Sequence, residues 1–351
     1  MKQALAISIS LITLATAVVG CAIGDSTGGG TIDPWVESSC GDDAQQHYAA
    51  LLPGFTRDFE IAVGPTTRNM STAQVDLDDV VSKARALGKY LHIILLCSFG
   101  DASANLYDYR RFVDVAERAS MGISLSLDIR SLPHGASFAD AGIRQAYLDE
   151  VEELVNERAP AFLNLCVEMN AYALDDATEA DYPNLVTLYK EAYSQVKFLS
   201  PDTVTYFSHS WELDLLHIPD GPLNLFRDLD NYIDAAGIST FPQLVGIKQP
   251  SEIPGIYYYD LPEYVDVPII VECGFSDSAD YDSSPEIARD FPPHLIRALE
   301  SLNLQLIQLV EMHDLPSQDL DPFFRDMGLR TIDGSAKPVY CGWQFVADSG
   351  T

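Results

Sequence analysis

Eight short apolar runs recur along the chain, at residues 59–65, 90–100, 123–130, 161–170, 203–209, 233–242, 267–274 and 304–314. Between them lie longer stretches such as VDLDDVVSKARALG, AYLDEVEELVNERA and PPHLIRALESLN, whose apolar residues fall at three- and four-residue steps. Runs that are apolar on both faces need cover on both faces, which is the condition of a strand in a parallel sheet. Eight such units of roughly 30 to 40 residues predict an α/β fold, a closed (β/α)8 TIM barrel, as a single domain over residues 36–351. An open dinucleotide-binding sheet loses its main support because no GxGxxG follows the first run. The aromatic stretch IYYYDLPEY is expected to cover the crossover between the sixth and seventh runs. The final PVYCGWQF is expected to close the barrel bottom or to pack on its side.

In such a barrel, side chains from the C-terminal ends of different strands converge at one mouth, so polar residues at run ends are the candidates for chemistry. The third run ends in Asp128 and Arg130, with His134 beyond, and the fourth reads CVEMNAY, placing Glu168, Asn170 and Tyr172. The fifth ends in His209 with Trp211 two residues on, the seventh (VPIIVECGF) in Glu272, and the eighth in Glu311, His313 and Asp314. Glu168 and Glu272 stand three βα units apart, on runs that face each other across a closed barrel. Two carboxylates held about 5 to 5.5 Å apart can cleave a glycosidic bond with retention, one attacking the anomeric carbon and the other protonating the departing oxygen. The acid needs a pKa raised by burial or by its neighbour's charge, while the nucleophile stays ionised.

VPIIVECGF resembles the strand-seven motif of clan A glycoside hydrolases, in which a buried strand ends in the nucleophilic Glu. IDAAGISTFP is similar to that clan's strand-six pattern, and GLRTIDGSAKPVYCGW to its C-terminal ending. Among clan members the arabinogalactan endo-β-1,4-galactanases are the nearest in pattern. The resemblance covers residues 59 to 345 and is specific at the fourth, sixth and seventh runs and the tail. It implies a retaining glycosidase with Glu272 as nucleophile and Glu168 as acid/base, acting on a carbohydrate substrate without a cofactor or metal. Arg130, Asn170, Tyr172, His209, Trp211, Phe241 and Glu311 are then the candidate substrate-binding residues.

The chain departs from the family pattern at three places. Val167 precedes Glu168 where the family has a sugar-binding Asn, so Asn170 is expected to supply that amide. Phe241 stands where a Tyr donates to the nucleophile, and Glu311-Met312 where a Trp forms a sugar platform. These changes motivate a second reading, a glycan-binding barrel that has lost catalysis. A third is a metal-dependent hydrolase using Glu311, His313 and Asp314.

The first 20 residues form a short apolar run after one Lys and end in small residues, the layout of a secretory signal rather than a membrane span. Val18-Val19-Gly20-Cys21 resembles a bacterial lipobox, which implies a signal peptide over residues 1–20 and a lipid anchor on Cys21. Residues 21–35, rich in Gly and Ser, then read as a flexible tether. The chain is thus expected at a membrane, as an exported lipoprotein of the outer membrane or cell surface. Cys97, Cys166 and Cys273 lie inside apolar runs as small hydrophobes, whereas Cys40 and Cys341 flank the folded body and can pair if the ends meet. A formal charge of −31 argues against nucleic acid or anionic lipid surfaces as partners and favours a neutral substrate. Oligomeric state is left open.

Overall fold

The computed structural model describes residues 40–64, 74–100, 103–174, 178–217, 224–315 and 321–350. The expected signal peptide (1–20), Cys21 and the tether (21–35) lie outside the described residues.

Every apolar run contains a strand. These are β1 (Glu60–Val63), β2 (Tyr90–Leu96), β3 (Gly122–Asp128), β4 (Phe162–Asn164), β5 (Val204–Tyr206), β6 (Ser208–Ser210), β7 (Ala236–Thr240), β8 (Ile269–Cys273) and β9 (Leu304–Leu309). β5 and β6 are two halves of the fifth run, separated by Phe207 alone, so the seventh run is β8 and the eighth is β9. All pairings are parallel, in the order β5-β4-β3-β2-β1-β9-β8-β7-β6.

The two ends of that order meet at Phe207 and close the ring. On one side Leu165 N donates to Tyr206 O at 2.8 Å and Ser208 N to Cys166 O at 3.1 Å. On the other, Asp234 N donates to Thr205 O at 2.9 Å and Gly237 N to Phe207 O at 3.1 Å. A Cβ on Gly237 would stand 2.6 Å from the Phe207 carbonyl oxygen and 2.7 Å from the Tyr206 ring, so only glycine lets this strand lie against the break.

The barrel interior is apolar at one level and polar at the next. Ala62, Phe162, Tyr206, Ala235, Ile270 and Leu306 form a separate buried plug. Two residues further along β8 and β9 the chain places Glu272 and Gln308. Gln308 Nε2 donates to Ser124 Oγ at 2.7 Å and to the Tyr206 hydroxyl at 2.8 Å, and His92 Nε2 lies 3.0 Å from Ser126 Oγ. The sequence of β3, GISLSLD, accounts for this layering, because alternate residues of a strand face opposite sides. Ser124, Ser126 and Asp128 point inward, while Leu125 and Leu127 join the larger core between sheet and helices.

Helix Ala141–Glu157 shows how that outer core is built. The Asp140 carboxylate accepts from Gly142 N at 2.6 Å and Ile143 N at 3.4 Å, satisfying donors left open by the first turn. Tyr147, Val151, Leu154 and Val155 are then buried against the sheet, each contributing roughly 1.5–3 kcal/mol by leaving water. The β7–β8 crossover has three short 3-10 turns, Pro242–Val245, Pro250–Glu252 and Leu261–Glu263. There the fully buried Tyr258 packs against Trp211 at 5.4 Å between ring centroids, so IYYYDLPEY covers this side of the barrel.

Helix Pro338–Asp348 lies on the barrel's side, against helices Asp42–Leu51, Gln74–Leu87 and Phe291–Ala298. Its Cys341 is bonded to Cys40, with Cα atoms 5.5 Å apart, while Cys97, Cys166 and Cys273 are buried free thiols. Among the described residues no helix is long and apolar enough to cross a membrane.

Candidate active site

Glu272 stands level with Ser239 of β7 on one side and Gln308 of β9 on the other. Register partners in a parallel sheet share a face, and Gln308 bonds across the barrel interior, so Glu272 also points inward. Its side chain is nearly sealed, at 7% exposure, and no described residue donates a hydrogen bond to its Oε2. The nearest cationic candidate is His92 Nε2 at 3.5 Å. Burial lowers the His92 pKa to about 3, so the imidazole is neutral at ordinary pH and the contact is polar rather than ionic.

Glu168 arrives by a different route. The expected strand through residue 170 stops at Asn164, and the chain coils before helix Met169–Leu174 begins. Ser208 Oγ organises the coil, accepting from Asn164 Nδ2 and from Glu168 N, each at 3.0 Å. Glu168 itself has φ of +50°, a left-handed conformation that costs a non-glycine residue about 1–3 kcal/mol. The bend brings the carboxylate to Ser239, whose hydroxyl donates to Glu168 Oε1 at 2.6 Å. Since Ser239 stands beside Glu272, and neighbouring strands lie about 4.8 Å apart, one serine links both carboxylates into a single cluster.

Arg130 completes the cluster. Its Nε lies 2.9 Å from Asp128 Oδ1 and its Nη2 2.7 Å from Asp128 Oδ2, a forked pair, while Nη1 donates to Glu168 Oε2 at 3.2 Å. The Arg130 backbone N–H also donates to Asp128 Oδ1 at 2.9 Å, in the 3-10 turn Ile129–Ser131 that follows β3. The guanidinium is therefore fixed by Asp128 and presented to Glu168.

Both acids are held above the ordinary carboxylate range. Burial is the largest cause for each. For Glu168 the Arg130 charge and the Ser239 hydrogen bond pull back down, with Asp128 opposing them. Glu272 is pushed up to about 8 by burial and then by the Glu168 charge, with Arg130 lowering it and Asp128 adding to the rise. Two coupled carboxyls, a fixed cation and a neutral imidazole at a barrel mouth can hold and pass a proton beside an ionised partner.

The other sequence candidates are placed elsewhere. Asn170 is committed to the backbone of Ser210, donating to its carbonyl at 2.9 Å and accepting from its N–H at 2.8 Å, so it clamps β6. Tyr172 donates to Asp181 at 3.0 Å and packs on Phe138. His209 is level with Ile238, which belongs to the outer core, and its ring lies 4.4 Å from Phe226, outside the barrel. Trp211 is buried against Tyr258. Phe241 forms a buried aromatic cluster with Phe323 and Phe324. Glu311 is buried with its pKa well raised by burial and by Asp314, Lys337 lowering it. Asp314 accepts from Lys337 Nζ at 2.5 Å, and among the described residues no group of three or more His, Cys, Asp or Glu side chains is set to hold a metal ion. His134 has no contact in this cluster.

Sequence reasoning missed His92 and Ser239 as members of the cluster and Gln308 and Ser208 as its supports. The available signal was a polar residue inside an otherwise apolar strand: His92 in YLHII, Ser239 in GIST and Gln308 in LQLIQL.

No protein-family model matches the chain, and no curated protein matches it by sequence. Solved structures do. A GH5_18 from Bifidobacterium longum subsp. infantis superposes with TM-score 0.67 at 19% identity, over 83% of this chain and 78% of that one. A GH5_18 from Streptomyces cattleya in complex with GlcNAc gives 0.66 at 14% identity, over 84% and 80%. A variant GH5_18 from Bifidobacterium longum subsp. longum in complex with Manb1-4GlcNAc gives 0.65 at 16%, over 83% and 78%. At these identities the likeness speaks for architecture: the chain has the (β/α)8 barrel fold of these glycoside hydrolase structures.

Proposed function

We propose that this chain is a retaining glycoside hydrolase acting on O-glycosidic bonds of a neutral polysaccharide or oligosaccharide, exported and held at a membrane through lipid on Cys21. The observation that carries the reading is the Glu168–Ser239–Glu272 cluster, a carboxyl from the coil after β4 and one from β8 drawn together inside the barrel with Arg130 on the first of them. One carboxyl attacks the anomeric carbon as the other protonates the leaving oxygen; the second then takes a proton from the water that releases the sugar. The strongly acidic chain disfavours anionic glycans. Neutral sugars in complexes of the similar barrels, GlcNAc and Manb1-4GlcNAc, support the same substrate class.

Hydrolysis of a panel of neutral β-linked aryl glycosides and oligosaccharides, with the anomeric product followed by NMR, tests the proposal. Retention of configuration that is lost in Glu168→Ala and Glu272→Ala supports it, and inversion or unchanged activity in those variants refutes it. Labelling with a radioactive fatty acid, lost in Cys21→Ser, tests the anchor.

A glycan-binding barrel without catalysis is the second reading. It is favoured by the amide of Asn170 being consumed at Ser210 and by Phe241 having no hydroxyl to offer. Measurable affinity for a sugar, with no hydrolysis across the panel, selects it.

A further inference from the structure

The acid/base of a retaining glycosidase works in two forms, an acid that gives its proton to the leaving oxygen and a carboxylate that takes one back from water. A buried group that serves in both forms needs a neighbour able to bond to both, because a buried polar atom left unmatched is costly. Arg130 cannot be that neighbour, since a guanidinium only donates. Ser239 on β7 can, since a hydroxyl carries one hydrogen and accepts through two lone pairs. The serine is fully buried, and its Oγ has two described partners, Glu168 Oε1 at 2.6 Å and the His209 carbonyl oxygen at 3.4 Å. With Glu168 ionised, the hydroxyl donates to Oε1. With Glu168 protonated, it turns its hydrogen to the His209 carbonyl and accepts from the carboxyl O–H.

Heavy atoms around this contact are held from both sides, so only hydrogen has to move. Asn170, two residues beyond Glu168, bonds both backbone groups of Ser210, at 2.9 and 2.8 Å, and Ser210 stands level with Ser239 on the neighbouring strand. The Glu168 N–H is fixed to Ser208 Oγ at 3.0 Å. The charged groups facing Glu168 are likewise set: Arg130, from the turn after β3, lies 3.2 Å from Oε2, Asp128 at the end of β3 holds that guanidinium, and Glu272 on β8 is the coupled acid.

We propose that Ser239 is a hydroxyl rotor that follows the protonation state of Glu168 and positions it both as acid and as base. As Glu272 bonds to the anomeric carbon, the glycosidic oxygen leaves with the electron pair and takes the Glu168 proton; the Ser239 hydrogen then turns from the His209 carbonyl to the new carboxylate. When water attacks and gives its proton to Glu168, the hydrogen turns back. The serine itself neither gains nor loses a proton. The inference rests on the glycosidase reading and on the roles that the resemblance gives the two glutamates.

Two measurements test it, in Ser239→Ala and in Ser239→Thr, which restores a hydroxyl. The first needs no sugar: the Glu168 carboxyl carbon, labelled through 13C-glutamate and assigned by its loss in Glu168→Gln, is titrated by NMR. A rotor bonds both forms, so the alanine variant should displace both the acid and the alkaline plateau of this signal, and threonine should return both towards wild type. The second compares dinitrophenyl and methyl β-glycosides of a neutral sugar, the first limited by release of the sugar and the second by the step that needs the acid. Alanine should slow both by roughly 10-fold or more, the size of a lost hydrogen bond to a charged group. A serine that only donates would stabilise the carboxylate alone; its removal would displace the alkaline plateau only and slow the methyl glycoside only, since the acid becomes weaker and the base stronger. That result, or unchanged plateaus and rates in the alanine variant, overturns the proposal. Should the threonine variant fail to fold, the alanine variant decides alone. An inactive protein in which both plateaus move refutes the glycosidase reading and leaves the rotor standing.

Discussion

The Ser239 hydroxyl donates to Glu168 Oε1 at 2.6 Å while the Ser239 backbone lies level with Glu272 on the next strand. A residue of β7 thus spans the gap between a carboxyl on β8 and one on the coil after β4. This contact depends on the bend at Glu168, and it makes the geometry of the pair a property of three strands rather than two.

If the pair cleaves glycosides, Glu168→Gln and Glu272→Gln should each lower turnover by roughly 10²- to 10⁴-fold on an aryl glycoside, because each removes a group that exchanges a proton or attacks. Circular dichroism should show an intact barrel in both. Near-wild-type turnover in either variant would remove that carboxyl from the chemistry.

Glu272→Gln should also stabilise the protein, and only above acid pH. A folded-state pKa of about 8 exceeds the unfolded value, so the folded chain holds a proton that the unfolded chain releases. The stability this group contributes is therefore full below about pH 4.3 and is lost as pH rises towards 8. Thermal melts should show a gain on the order of 2–4 kcal/mol for the variant at pH 8.5 and almost none at pH 4. Glu212, pushed up to about 7 chiefly by burial, adds to the same alkaline loss in the wild type.

Lys337 is buried between Asp277 at 3.0 Å and Asp314 at 2.5 Å and also donates to the Asp326 carbonyl at 3.1 Å. Lys337→Met leaves two carboxylates without their shared cation, a loss of about 3–5 kcal/mol at neutral pH. Burial already lifts Asp314 to about 6 with Lys337 present. Protonation at acid pH should therefore relieve much of the penalty. Urea unfolding of the variant at pH 7 and pH 4.5 checks both parts.

Cys341→Ser opens a closed loop spanning 301 residues of sequence. The disulfide limits the unfolded chain more than the folded one, so its loss should cost about 2–5 kcal/mol. Denaturation with and without reductant should show this difference in the wild type and none in the variant.

Architecture was legible because each strand of a (β/α)8 barrel is covered on both faces and so announces itself as an apolar run. The break in the fifth run was not, since Phe207 fits an unbroken apolar pattern and Gly237, which permits it, lies on another strand. Glu168 and Glu272 stood out as charges at the ends of buried runs. Their partners did not: Ser239 and His92 act through register with other strands, which no local pattern encodes. For Asn170, His209 and Trp211, nearness in sequence to a strand end misled: Asn170 sits in helix Met169–Leu174 and clamps Ser210, His209 is on the outward face of β6, and Trp211, just past β6, packs on Tyr258.

The Cys40–Cys341 bond joins the start of the described chain to its last helix. A pull at the N-terminal end consequently passes through sulfur into helix Pro338–Asp348 before it reaches β1. Tension is then borne by a covalent link and a packed helix, and the hydrogen-bond ladder of β1 with β2 and β9 is shielded from being unzipped one rung at a time.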